Sequence, residues 1–324
     1  LGDVYKRQIL YTKECAMGKT AFLFPGQGAQ YVGMGRDFYE NMAVCRQVMD
    51  LAGQMAGLDV KKICFEEKEK IHITEYTQIA MVAVEASILK AFEEEGIFPE
   101  AAGGLSLGEY GAVLAAGVMS LEDVFSLVRK RGIYMQEAVP FGGAMAAVLG
   151  LSGKQVEDIC EAEPGMVSVA NYNCPGQVVI TGASQAVEEV AEKLKKAGAR
   201  RVLPLQVSGP FHSPMLAEAE EKLRSALQEI KVQKPGIPYT ANVTAQYVRE
   251  AGEVKELLAR QVSAPVRWQQ CVDTLLSDGV ETFVEVGPGK TLTGFVRKID
   301  KNARVLQVQT IEDFQNLVNI WKER

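Results

Sequence analysis

Short apolar runs that end in glycine-rich turns alternate with longer, helix-like segments along the first part of the chain. Thr20–Phe24 is such a run, and the turn Pro25–Gly28 follows it directly, which is typical of a buried strand. Ala101–Leu105 contains no β-branched residue, so the strand expected there rests on the turn that follows it. Helices are predicted between and after these strands, at Met34–Met55, Thr77–Glu95 and Glu109–Ala116.

A further amphipathic helix is predicted at Leu121–Met135, directly after the capping sequence Ser120–Asp123. At ~100° per residue its apolar side chains share one sector, and Arg131 falls inside that sector. Because a guanidinium cannot shed its charge, a buried arginine needs an anionic partner. That partner is either a carboxylate of the protein, in an internal ion pair, or a carboxylate of a ligand.

The middle of the chain follows the order β-α-β-β-α-β, which is the order of a ferredoxin-like fold. Strands are predicted at Ala144–Leu151, Val167–Tyr172, Gln177–Thr181 and Arg201–Val207, and helices at Lys154–Ala162 and Gln185–Ala197. We therefore expect residues 142–208 to form a small, inserted α+β domain.

Strand and helix patterns alternate again after this insertion. Helices are predicted at Met215–Ile230, Val254–Val262 and Trp268–Ser277, and strands at Tyr239–Val243 and Thr282–Val286. Alternation on both sides of the insertion predicts a larger α/β domain with a mostly parallel sheet, built from residues 17–141 and 209–324. Residues 1–16 lack the basic-then-apolar order of a signal peptide and any strong periodicity, so we expect an extension outside both domains.

Composition and charge narrow the class of protein. The 324 residues are 47% hydrophobic and carry a formal net charge of -6, and no basic stripe interleaved with aromatic residues is present, so nucleic acid is not an expected partner. The most apolar stretch, Ile79–Phe92, is shorter than the roughly 20 residues of a membrane span, so no membrane partner is expected. The six cysteines form no Cys-x-x-Cys pair, which is typical of reduced residues in a cytoplasmic protein.

The candidate chemistry centres on Gly104–Gly108, in which Ser106 lies between two glycines at the spacing of a nucleophile elbow. Such an elbow turns sharply from strand into helix, so the serine hydroxyl and the free N–H groups of the helix point towards the same place. Both outer positions must be small, because a Cβ there would collide with the opposite arm of the turn. A glycine-rich loop that contains a serine by chance is the alternative, since only three positions of the pattern are fixed.

A serine hydroxyl needs a base to become a nucleophile, and histidine is the usual base near neutral pH. Of the two histidines, His72 lies between isoleucines, where packing or a surface position is expected. His212 lies in a turn bracketed by prolines, where it either acts as the base or only bonds to the backbone. Glu285 and Asp273 are candidate acids for a triad, and a backbone carbonyl in place of the acid would leave a dyad with Ser106.

No cofactor or metal is expected. Gly289–Thr291 resembles the end of a P-loop, but the glycine required five residues earlier is Val284. The turn at Gly26–Gly28 lacks the third glycine of a dinucleotide-binding fingerprint. Two distant histidines without a cysteine cluster also argue against a catalytic zinc site.

Six segments keep a common order and spacing between about Lys19 and Lys298. They are Phe24–Gly28, Ser106–Tyr110, Arg131–Ala138, Asn173–Val178, Phe211–Ser213 and Glu285–Gly289. Together they resemble the malonyl-CoA:acyl carrier protein transacylase family of bacterial fatty acid synthesis. Each motif alone is weak, but six in sequence are specific. The resemblance implies a hydrolase-like α/β core with a ferredoxin-like insert, in agreement with the order of predicted elements.

The resemblance also implies a role for individual residues. It implies that Ser106 is the nucleophile that carries the malonyl ester, that His212 is its base, and that Arg131 binds the malonyl carboxylate. The backbone N–H groups of Gln27 and Leu107 are implied to form the oxyanion hole.

Four further positions follow from the same resemblance. The backbone carbonyl of Gln261 is implied to orient the histidine, which would explain the missing acid, and Asn173 is implied to contact substrate. Phe211 resembles the malonyl-selecting form of its loop, since a bulky ring leaves little room for a methyl branch. Leu105 departs from the family, in which histidine commonly precedes the nucleophile, and this puts the hydrogen bonding around the elbow in doubt.

The implied activity is transfer of malonyl from malonyl-CoA to acyl carrier protein, by a monomer in the cytoplasm. A serine hydrolase or thioesterase on a related fold, a polyketide-type malonyl acyltransferase and a catalytically silent carrier-protein scaffold are the alternatives. Carrier proteins are acidic, so an acidic transferase needs a local basic patch. Candidates for that patch are Lys195, Lys196, Arg200 and Arg201 on the small domain, and Arg297 with Lys298 elsewhere.

Overall fold

The computed structural model describes residues 17–207 and 209–323, so the expected extension at residues 1–16 lies outside the described residues. The strands are β1 (Lys19–Phe24), β2 (Ala101–Gly104), β3 (Gly143–Leu149), β4 (Val167–Cys174), β5 (Gln177–Ala183), β6 (Arg201–Pro204), β7 (Tyr239–Thr240), β8 (Tyr247–Val248), β9 (Val280–Val286) and β10 (Arg304–Val308).

The helices connect these strands, and the last helix follows β10. They are α1 (Arg36–Asn41), α2 (Ala43–Ala56), α3 (Val60–Phe65), α4 (Thr74–Glu94), α5 (Glu109–Ala115), α6 (Leu121–Ala138), α7 (Gly153–Glu161), α8 (Ser184–Lys196), α9 (Ala217–Gln228), α10 (Ala251–Arg260), α11 (Trp268–Ser277), α12 (Thr291–Ile299) and α13 (Ile311–Lys322).

The larger sheet has six strands in the order β10-β9-β1-β2-β7-β8. Its first five strands run parallel, and β8 pairs antiparallel with β7 at the edge. Residues 20–24 of β1 are all buried, which explains the continuous apolar run, because a strand covered by helices on both faces has no solvent side. The mostly parallel α/β core predicted from the sequence is confirmed.

The smaller sheet has four antiparallel strands in the order β4-β5-β3-β6, with α7 and α8 packed on it. This is the predicted ferredoxin-like arrangement. Backbone hydrogen bonds join β4 to a loop of the core: Tyr172 N–H donates to the Val266 carbonyl (2.9 Å), and Val266 N–H donates to the Ala170 carbonyl (2.8 Å). The exact limits of the two domains, at residues 142 and 208, stay a prediction.

Helix α4 runs through the middle of the core, and most of its residues are buried. This explains the apolar stretch at Ile79–Phe92, which belongs to a core helix. In the part of the chain that the structure describes, no helix is both long and apolar enough to cross a membrane. The five cysteines among the described residues are buried and free of disulfides, as predicted, and Cys15 lies outside them.

Some predicted elements were wrong in extent, among them the strand expected at Arg201–Val207, which ends at Pro204. The single helix expected at Met34–Met55 is two helices, because Met42 adopts an extended conformation with φ -122° and ψ 125°. It also begins later than expected, since Gly35 has φ 73° and precedes α1 in a left-handed turn. The strand expected at Tyr239–Val243 ends at Thr240, because the chain turns there and the next residues bond to the elbow.

Candidate active site

The sequence Gly104–Gly108 forms the sharp turn from strand into helix that its glycines predict. Strand β2 ends at Gly104, a single 3-10 turn covers Ser106–Gly108, and α5 follows. Ser106 has φ 54°, a left-handed conformation that non-glycine residues rarely adopt. A Cβ at Gly104 would lie 1.9 Å from the Gly108 carbonyl oxygen, and one at Gly108 would lie 2.0 Å from that of Phe24. Both glycines are therefore required by close backbone approach.

His212 lies directly beside the serine. Its Nε2 is 2.7 Å from Ser106 Oγ, and its Nδ1 is 2.8 Å from the backbone carbonyl oxygen of Gln261. Because a carbonyl only accepts, Nδ1 carries the proton and Nε2 accepts from the serine hydroxyl. Burial, followed by the positive charge of Arg131, lowers the pKa of His212 to about 4. The imidazole is therefore neutral near pH 7 and available as a base.

Neither acid proposed for a triad contacts the histidine. Both carboxylate oxygens of Glu285 accept hydrogen bonds at the start of α12, from Leu292 N–H (3.0 Å) and Thr293 N–H (2.7 Å). Asp273 lies in a separate surface groove on α11. A backbone carbonyl thus occupies the position of the acid, which is the dyad arrangement that the sequence left open.

Arg131 lies in the buried sector of α6, as its helical position predicts, and its exposed fraction is 1%. Nη1 donates to Gln78 Oε1 (2.8 Å), and Nη2 donates to Gln261 Oε1 (3.0 Å) and to Ser106 Oγ (3.3 Å). These partners are all neutral, and no carboxylate among the described residues forms an ion pair with this guanidinium. The internal ion pair considered from the sequence is absent there, and the alternative partner, a ligand carboxylate, stays a prediction.

A cavity of about 230 Å³ opens in front of Ser106, between the core and the smaller sheet. Its wall includes the remaining predicted site residues, which are Gln27, Leu107, Asn173 and Phe211. Asn173 comes from β4 and is 7% exposed, and its Oδ1 has no hydrogen-bond partner among the described residues. All eight residues predicted for the site except Gln261 line this one cavity, and Gln261 lies directly behind it.

Asn242 is a site residue that the sequence analysis missed. Its Oδ1 accepts from Ser106 N–H (2.6 Å), and its Nδ2 donates to the Gly104 carbonyl (2.7 Å). One buried amide therefore bonds to the backbone on both sides of Leu105, at the end of the strand and at the nucleophile. A polar residue inside the apolar run Tyr239–Val243 was the available signal. These bonds also remove the doubt raised by Leu105, because the elbow is held from the neighbouring loop.

The comparisons with known proteins agree with this geometry. Residues 21–314 match the model of a family described as "Acyl transferase domain". The malonyl CoA-acyl carrier protein transacylase of Bacillus subtilis (strain 168) is 41% identical over 312 residues, which cover 95% of this chain and 98% of that protein.

Solved structures give the same result. The crystal structure of malonyl CoA-acyl carrier protein transacylase from Clostridium perfringens superposes with a TM-score of 0.90 at 41% identity, over 94% of this chain and 98% of the other. A malonyl-transacylase in complex with a type II PKS acyl-carrier protein superposes with a TM-score of 0.90 at 35% identity, over 93% of this chain and 99% of the other. This chain therefore belongs to the malonyl CoA-acyl carrier protein transacylases of the acyl transferase domain family.

Proposed function

We propose that this protein transfers the malonyl group of malonyl-CoA to the pantetheine thiol of an acyl carrier protein, in fatty acid biosynthesis, through a malonyl ester on Ser106. The observation that carries the proposal is the buried guanidinium of Arg131, which forms no direct ion pair with a carboxylate among the described residues and lies 3.3 Å from the Ser106 hydroxyl. A buried cation beside a nucleophile selects an acyl group that brings its own carboxylate.

In the first half-reaction, Ser106 Oγ attacks the thioester carbonyl of malonyl-CoA while His212 Nε2 takes the hydroxyl proton. The negative charge that develops on the carbonyl oxygen is stabilised by the backbone N–H groups of Gln27 and Leu107. When the tetrahedral intermediate collapses, the C–S bond breaks and the CoA thiolate takes the proton from His212. Malonyl-Ser106 remains, and the Gln261 carbonyl keeps the imidazole oriented throughout.

The second half-reaction runs in the opposite direction. The pantetheine thiol gives its proton to His212 and attacks the malonyl ester, and the same N–H groups stabilise the second tetrahedral intermediate. Collapse then breaks the bond to Ser106 Oγ, which recovers its proton from the imidazole. The residues named supply proton transfer and charge stabilisation in both halves.

Two cavity residues complete the proposal. Phe211 precedes the histidine and is 7% exposed, so its ring limits the space for a branch on the acyl group. Asn173 offers to a polar group of the substrate a buried Oδ1 that has no hydrogen-bond partner within residues 17–207 and 209–323. Both face the same cavity as the nucleophile.

We place docking of the acidic carrier protein near Arg200 and Arg201. These two residues are exposed, and β6 leads from them to Leu205 in the wall of the cavity. Lys195 is less suitable, because its Nζ is already paired with Glu192 at 2.7 Å. Replacement of both arginines by alanine should raise the KM for carrier protein and flatten its salt dependence, and an unchanged KM would exclude this patch.

The function is tested by following malonyl from malonyl-CoA into two acceptors, the carrier-protein thiol and water. We expect malonyl-carrier protein to form much faster than free malonate, and expect no transfer with Ser106→Ala. Fast release of malonate without a thiol acceptor would instead identify a hydrolase. Failure to form any covalent adduct would identify a carrier-protein scaffold without catalysis.

A further inference from the structure

A carboxylate lies behind the nucleophile, on the side away from the cavity. Glu109 begins α5, and its exposed fraction is 0%. Its Oε2 accepts from Gln261 Nε2 (2.6 Å) and from Asn242 N–H (3.0 Å), and its Oε1 has no hydrogen-bond partner among the described residues. The proposed chemistry does not use this group, although it lies one residue beyond the elbow.

The side chain of Gln261 connects this carboxylate to the substrate side. Its Nε2 donates to Glu109, to the Ser106 carbonyl (2.9 Å) and, at the longer distance of 3.3 Å, to Asn242 Oδ1. Its Oε1 accepts from Arg131 Nη2 (3.0 Å). The two ends of an amide are not interchangeable here. If the group rotated by half a turn, its NH2 would face the guanidinium, donor against donor, and its oxygen would face a carboxylate oxygen.

We propose that Glu109 is a positioning residue for acyl-group selection: by accepting from Nε2 it fixes the Gln261 amide so that Oε1 holds Arg131 beside Ser106. The proposal rests on the malonyl transfer proposed above. It means that Glu109, which touches no substrate, contributes to the preference for a carboxylated acyl group. His212 depends on the backbone carbonyl of Gln261 and not on its amide, so the base is not affected by this contact.

The contact requires an acceptor oxygen and not a particular charge. Burial raises the pKa of Glu109 to about 7, against the opposing effects of its hydrogen bonds and of Arg131. In the neutral acid the proton belongs on Oε1, which has no donor directed at it, and Oε2 still accepts. Glutamine offers the same acceptor at the same distance, whereas alanine offers none.

The test compares the rates at which malonyl-CoA and acetyl-CoA acylate Ser106, measured by rapid quench and intact mass. For Glu109→Ala, we expect the malonyl-to-acetyl rate ratio to fall by about 10- to 100-fold. This is the usual effect of losing one hydrogen bond to a charged group, here the bond from Arg131 to Gln261 Oε1. Glu109→Gln should restore most of the ratio. The matched control is Glu163→Gln, which alters a carboxylate paired with Lys193 in the small domain and should leave the ratio unchanged.

A second variant keeps the test decisive if Glu109→Ala does not fold. Gln261→Met removes both ends of the amide but keeps the backbone carbonyl, and should lower the ratio by the same factor. Equal loss of both rates, an unchanged ratio, or failure of Glu109→Gln to restore it would overturn the proposal. Absence of malonyl on the unaltered enzyme would instead refute the proposed function, so the two failures are distinguishable.

Discussion

Replacement of Arg131 by alanine should change which acyl group the enzyme accepts. The guanidinium is buried, and its hydrogen bonds go to the neutral groups Gln78, Gln261 and Ser106. A malonyl carboxylate at this position gains a charge-assisted, bidentate partner, whereas an acetyl group gains none. The variant should therefore lose malonyl transfer and keep or improve acetyl transfer.

The magnitude follows from the contacts that disappear. Each hydrogen bond to a charged group contributes about 1.5–3 kcal/mol, and a bidentate pair has two. In the wild type, part of this binding free energy is offset because the malonyl carboxylate loses its hydration when it enters the site. A net loss of about 3–4 kcal/mol, or roughly 10²- to 10³-fold in kcat/KM for malonyl-CoA, is expected.

The assay measures kcat/KM for malonyl-CoA and acetyl-CoA with a common carrier protein. Arg131→Met is the matched variant, since it removes the charge but leaves most of the side-chain volume, and it should show the same selectivity change. Arg129→Ala, two residues earlier on α6 and paired with Glu75, should leave the selectivity unaltered. If Arg131→Ala lowered the two rates by the same factor, the carboxylate-binding role would be refuted.

Three further predictions concern the base, the elbow and the acyl pocket. Because the pKa of His212 is lowered to about 4 and only the neutral ring accepts a proton, the Ser106 acylation rate should fall through a midpoint near pH 4 as pH decreases, and a midpoint near 6.5 would contradict the buried base. Gly108→Ala, whose Cβ would lie 2.0 Å from the Phe24 carbonyl oxygen, should lower the free energy of unfolding by at least about 1–3 kcal/mol in denaturant titration. In the control variant Gly294→Ala, the new Cβ meets nothing within 4 Å, so the free energy of unfolding should not fall. Equal free energies of unfolding for the two variants would argue against the collision at Gly108. Phe211→Ala should raise the rate with methylmalonyl-CoA relative to malonyl-CoA in a competition assay, and an unchanged ratio would exclude the ring as a selector.

The architecture could be predicted from the sequence where the local hydrophobic pattern of an element matches its burial in the fold. The apolar run of β1 and the order of strands and helices in residues 142–208 could both be predicted, because buried positions are visible in the sequence as patterns of hydrophobic residues. The elbow was predictable for another reason, since its two glycines are required by backbone contacts that no other residue tolerates. The position of Arg131 on a buried helix face followed from the helical period alone.

The groups that hold the elbow could not be predicted in the same way. Asn242 and Glu109 are 133 residues apart in sequence and meet through one hydrogen bond. The polar character of Asn242 within its apolar run indicates a special position, but it does not indicate which residue it contacts. The break at Met42 was also missed, because an extended residue between two amphipathic helices does not disturb the apolar spacing by much. Such features depend on tertiary contacts, which periodicity does not encode.

Ser106 carries the acyl group in the proposed reaction, and the intact mass of the protein after mixing with malonyl-CoA reports this step without a coupled assay. In the absence of carrier protein, the enzyme should gain the mass of one malonyl group, and peptide mapping should place it on Ser106. Ser106→Ala should gain nothing, and addition of the carrier-protein thiol should remove the adduct from the wild type. An adduct that persists in Ser106→Ala, or no adduct in the wild type, would show that Ser106 is not the acyl-carrying residue.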